Sequence, residues 1–174
     1  MRNFTIFLIG VALFLFSPIF GNDDHSTDPI KKTTQDTTNA MPKVFLLGNH
    51  EKEYERLSEE YSTSLLEVND DDFQLAFTKW NTLLKEMEAH AEMIDYDIKG
   101  IKMWLHVFWD KNGKIKHIAY FLKPNSRNVK RDELSAFLRD FINNYHVPIE
   151  YDGKFSHYSG AAFPTLNWKK KKNN

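Results

Sequence analysis

The chain's 7 histidines are the side chains best placed by type to do chemistry, since imidazole serves as base, acid or metal ligand near neutral pH. Three of them, His106, His117 and His157, fall in segments of strand-like composition. A pocket formed by these three would be the site of a small exported ligand-binding protein or enzyme. For a metal the set is poor: zinc needs three or four N, S or O ligands, and no carboxylate stands at ligand spacing from the histidines. Amphipathic histidines on a partly exposed sheet face account for them more simply. Neither metal nor cofactor is implied.

The acidic candidates give less. Asp70, Asp71 and Asp72 lack the alternating ligands, the glycine and the distal glutamate of a calcium loop, and suit a helix cap better. Asp95 and Asp97 could share a face of an extended segment as acid and base, but nothing marks a substrate pocket around them. Asn49-His50-Glu51 has the order seen in some metallophosphatases, without the metal motifs that would have to follow. There is no Gly-x-Ser-x-Gly elbow and no glycine-rich phosphate loop. The absence of cysteine removes thiol catalysis, thiolate zinc, c-type haem attachment and a lipoprotein anchor. The sequence therefore argues against enzymatic activity and names no catalytic residue.

Bulk composition narrows the partners. With 23 Lys+Arg against 24 Asp+Glu the net charge is -1, which supplies no general field for nucleic acid. Hydrophobic content of 41%, with 14% aromatic residues, is enough to build a core. Arg2 followed by an uncharged apolar run over residues 4–16 reads as a signal peptide spanning 1–21, shorter than the roughly 20 apolar residues of a membrane span. Residues 22–42 read as a disordered Ser/Thr/Asp/Asn linker, residues 43–164 as one domain and residues 165–174 as a basic tail. The expected mature chain is soluble and exported. Lys169, Lys170, Lys171 and Lys172 could add weak contact with an anionic membrane surface.

The elements that must position these groups follow from periodicity. Residues 44–47 and 65–68 read as short strands flanking a surface helix whose stripe is Tyr54, Leu57 and Tyr61. Phe73, Phe77, Trp80, Leu84, Met87 and Ala91 repeat by threes and fours and predict a long helix with its apolar stripe in the core, capped by Asp70 to Asp72. Residues 101–122 predict a hairpin around Asp110-Lys111-Asn112-Gly113, in a register setting Val107 opposite His117 and Leu105 opposite Ala119. Both hairpin faces are apolar, so helices or a partner must cover both. Asn128 is the expected cap of a second helix carrying Leu134, Phe137, Leu138, Phe141, Ile142 and Tyr145, and residues 155–163 are the last strand. The fold class is α+β: a small antiparallel sheet (hairpin 101–122 plus a last strand 154–163) on two long amphipathic helices, with a strand-helix-strand addition before it.

Gly100, the run from Leu105 to Ile115 with its Asp-Lys-Asn-Gly turn, the helix from Leu134, Pro148 and the Tyr151-Asp152-Gly153-Lys154 turn occur in an order that resembles the carboxy-terminal domain of TonB-type energy transducers. In that family the order is strand, strand, helix, strand. The resemblance implies a non-enzymatic envelope module that binds extended segments by strand addition, with the last strand as the receiving edge. Phe155, His157, Ser159 and Ala161 are then the expected partner-binding residues. The chain departs from the family in its short linker with Pro29 alone, its lack of an anchor histidine in residues 4–20 and its extra elements at 44–68. A stand-alone exported module bound to an envelope protein or peptide is the expectation, in place of an energy transducer.

Overall fold

Residues rich in β-branched and aromatic side chains fold back on themselves as a hairpin of β2 (Lys102–Asp110) and β3 (Lys114–Leu122), joined by a tight turn over Lys111–Gly113. Around it a computed structural model describes residues 41–145 and 151–165. The apolar run at 4–16, most of the linker, Pro148 and the lysines at 169–172 lie outside the described residues. In chain order the elements are β1 (Val44–Leu46), α1 (Glu51–Glu60), α2 (Phe73–Met93), β2, β3, α3 (Arg131–Asn144) and β4 (Phe155–Ala162). The strands form one sheet in the order β1-β3-β2-β4. Among the described residues no helix is long and apolar enough to cross a membrane.

The fold class is α+β, but the sheet is mixed where an antiparallel one was expected, because β1 pairs with β3 in parallel. Parallel neighbours need a long connection, and α1, α2 and β2 intervene between the two strands. The second short strand expected at 65–68 is absent. Ser64 and Glu67 close a reciprocal cap instead: the Ser64 N–H donates to Glu67 Oε2 at 2.6 Å, and the Glu67 N–H donates to Ser64 Oγ at 3.1 Å. That cap starts a single 3-10 turn, Glu67–Asn69. Asp70 and Asp71 follow with left-handed φ of 54° and 60°, leaving Asp72 alone to cap α2 by accepting the Leu75 N–H at 3.0 Å. Asn128 is not the cap of α3. Lys130 precedes α3 without a side-chain cap, and Asp132 and Glu133 sit in its first turn.

One sheet face carries Met103, Leu105, Val107 and Trp109 of β2 against α2 and α3. The helices contribute Trp80, Leu83, Leu84 and Met87, and Leu134, Phe137, Leu138 and Phe141, to the same buried cluster. His90 Nε2 and Asp140 Oδ2 meet at 2.8 Å and join the two helices. Phe73 has the azimuth of the α2 stripe but remains 72% exposed, and Phe77 stacks on it at 6.1 Å. The expected core stripe therefore starts a turn later, at Ala76 and Trp80, where packing partners exist.

The hairpin register also differs from expectation. Next to the turn Asp110 pairs with Lys114 and Trp109 with Ile115, as a three-residue loop requires. A bulge then intervenes, so Phe108 faces His117, Val107 faces Ile118 and Leu105 faces Tyr120. Lys116 is the extra residue. If Lys116 were paired regularly in the ladder, strict alternation would carry His117 to the Ile115 face among the helices; with Lys116 bulged out, Ile115, Ile118 and Tyr120 all reach that core. The bulge puts His117 on the opposite face, where a ring nitrogen meets the Pro42 carbonyl at 2.9 Å.

Candidate functional site

The second sheet face is only partly covered. Leu57 and Tyr61 of the α1 segment close over Phe45, Phe108 and Ala119, with Tyr54 alongside. Farther along, Trp104, Phe121 and Tyr158 stay 40%, 50% and 50% exposed. Trp104 and Tyr158 stack with centroids 5.7 Å apart and planes 13° from parallel. The Lys123 ammonium sits 3.9 Å from the Trp104 ring centroid, a cation–π contact. This open aromatic patch borders β4, an edge strand of the sheet.

Edge strands expose a row of backbone donors and acceptors, and which residues own them depends on register. Along β4, Trp109 faces Phe155, Val107 faces His157, Leu105 faces Ser159 and Met103 faces Ala161. Ser156 turns its backbone outward: its N–H donates to the Thr63 carbonyl at 2.9 Å and its carbonyl accepts from the Leu65 N–H at 3.0 Å. Alternation then aims the groups of Tyr158, Gly160 and Ala162 away from the sheet as well. Among the described residues these meet no backbone partner. The edge is thus closed at its start by residues 63–65 and open from Tyr158 to Ala162.

This parity redraws the expected binding set. The backbones of Phe155, His157, Ser159 and Ala161 belong to the ladder with β2. Phe155 and Ala161 are buried in the helix-side core, and His157 packs on Trp80 at 4.8 Å. The groups available to an incoming strand belong to the residues between them. The strand was legible as an edge, but the parity was not, because it rests on the β2–β4 register.

The three pocket histidines are not brought together. His106 and His117 lie on the second face, whereas His157 shares the helix-side face with Val107. His106 Nδ1 meets the Tyr54 hydroxyl at 2.8 Å and tethers α1 to the sheet. Burial pushes its pKa down to about 4, with the positive charge of His157 adding a little, and burial also lowers His117 and His157. All three are therefore neutral near pH 7. Among the described residues no three His, Cys, Asp or Glu side chains converge as a metal site. A cleft of about 500 Å³ lies elsewhere, walled by Glu88, Glu92, Asp95, Tyr96, Lys99 and Pro164. Asp97, also on its wall, pairs with Arg127 at 3.3 Å, so the suggested Asp95–Asp97 dyad has one partner committed to a cation.

No family model, curated protein or solved structure matches this chain. The functional reading accordingly rests on the open edge and the patch beside it. Exposed aromatics left on the sheet could have been anticipated from the doubly apolar hairpin, since α1 is too short to cover a full face.

Proposed function

We propose that the chain is an exported, non-enzymatic interaction module that binds an extended segment of an envelope protein by strand addition to β4. The single observation that carries this reading is the open run of outward backbone groups at Tyr158, Gly160 and Ala162, flanked by the exposed Trp104–Tyr158 stack. Main-chain hydrogen bonds along the edge would provide affinity, and the aromatic patch would provide side-chain selection. The order β2, β3, α3, β4 is also the order implied by the resemblance to the TonB carboxy-terminal domain, which supports the same kind of recognition. The apolar run at 4–16 supports export.

The experiment is site-specific photo-cross-linking with a benzophenone side chain in place of Tyr158 in the full chain, carried out in the envelope. One discrete partner should be captured through a contiguous extended segment, and Gly160→Pro, which removes a central outward N–H, should abolish capture while the circular dichroism spectrum stays unchanged. Cross-links that are scattered, or indifferent to Gly160→Pro in a folded chain, would refute strand addition. A proline at Ser159 is the wrong test: its backbone bonds β2, so the domain itself would be damaged.

A further inference from the structure

Gly160 is the central residue of the open edge, and its missing side chain has a neighbour. A Cβ built there would lie 2.6 Å from Lys123 Nζ and 3.4 Å from the Trp104 ring. The lysine ammonium thus occupies the notch the glycine leaves, lying over the indole and against the edge-strand backbone. Lys102 faces Ala162 in the ladder one step farther, on the same sheet face. Among the described residues neither Lys102 nor Lys123 is paired with a carboxylate. The open edge therefore has an aromatic end at Tyr158 and a cationic end at Gly160 and Ala162.

An incoming strand inherits that polarity. Antiparallel residues opposite each other put their side chains on the same face, with Cβ atoms roughly 5 Å apart. The residue opposite Gly160 would project beside the Lys123 ammonium, where that ammonium lies over Trp104, and the residue two positions away would project beside Tyr158. We infer that the segment received by β4 is acidic and amphipathic, with an Asp or Glu opposite Gly160 and an aromatic or β-branched residue opposite Tyr158. A second acidic residue fits opposite Ala162, near Lys102. Read along an antiparallel partner the order is acid, any, acid, any, aromatic. This assignment rests on the strand-addition reading and specifies its partner. A single-stranded nucleic acid would also combine cations with aromatic rings, but it needs open ring faces, and the Trp104 face is already covered by Lys123.

The test is selection of a random decapeptide phage library on the full wild-type chain and on Lys123→Glu. Wild type should enrich segments with Asp or Glu two positions from an aromatic or β-branched residue. Lys123→Glu should weaken those segments at least tenfold and enrich Lys or Arg at the acidic position. Enrichment of extended segments with no acidic preference, unchanged by Lys123→Glu, would overturn the charge assignment while leaving strand addition standing. Failure to enrich any extended segment would overturn both, as would oligo-dT binding that is lost in Trp104→Ala. Because Lys123 is only partly buried and lies on the surface of the patch, its replacement leaves the core intact, and the melting temperature checks this directly.

Discussion

Acidification should destabilise this fold well above the range in which carboxylates titrate, and His106 sets the size of the effect. Its ring is 8% exposed, holds the Tyr54 hydroxyl and has its pKa pushed from 6.5 to about 4, chiefly by burial. A group whose folded pKa lies below its unfolded value binds more protons when unfolded. Stability is then intact above about pH 6.5, falls as pH drops through the interval, and levels off below about pH 4. At about pH 5 the unfolded ring is almost fully protonated and the folded ring hardly at all, which amounts to a loss of about 2 kcal/mol relative to neutral pH. The full interval corresponds to roughly 3 kcal/mol, a large part of the stability of a small domain. His117 and His157 are lowered in the same direction and add to the slope. Protonation would also fix His106 Nδ1 as the donor in its bond with the Tyr54 hydroxyl, which would then have to accept. The assay is urea denaturation followed by tryptophan fluorescence at half-unit steps from about pH 7.5 to about pH 4.5, for wild type and His106→Gln. The midpoint should fall steadily in wild type and markedly less in the variant. A midpoint that is flat over this range, or identical slopes in the two proteins, would refute the assignment of a buried neutral imidazole.

Other expectations follow from packing and register. Phe155→Ala removes a fully buried ring stacked on Trp109 at 4.9 Å and should cost about 3–5 kcal/mol in chemical denaturation. Asp72→Ala deletes the α2 cap and should cost about 1 kcal/mol in chemical denaturation. Deleting Lys116 removes the exposed bulge residue and leaves Ile115, His117 and Ile118 alternating in an unbroken ladder. The shortened chain should fold with a melting temperature close to wild type, and loss of folding would show that the bulge is misplaced.

Much of the scaffold could be read from the residues because it depends on local periodicity. The stripe from Trp80 to Ala91 and the one from Leu134 to Ile142 both reach the core, and Asp110 with Gly113 marks the turn between β2 and β3. What escaped depends on non-local choices. Leu65, Leu66 and Val68 have strand composition, yet Ser64 and Glu67 satisfy each other's backbone groups first and force a turn. Phe73 fits the helical stripe, but it remains exposed, with no element beneath it among the described residues. Lys116 has nothing in its own identity to mark a bulge; the mark is the mismatch between Ile115, on one side of it, and Ile118 and Tyr120 on the other, which must share a core face. Whether that residue is bulged or paired decides where His117 goes. The register of β4 against β2 likewise decides that Tyr158, Gly160 and Ala162, and not Ser159, own the open edge.

Residue-resolved amide hydrogen exchange on the full chain tests strand addition most directly, because it reads the edge itself. In the free protein, His157, Ser159 and Ala161 should exchange slowly within the ladder with β2, while Tyr158, Gly160 and Ala162 exchange fast. Adding an acidic, amphipathic decapeptide of the selected type should slow those three amides and leave the others as they were. Protection of all six in the free chain, or fast exchange at Tyr158, Gly160 and Ala162 with the peptide bound, would contradict the account.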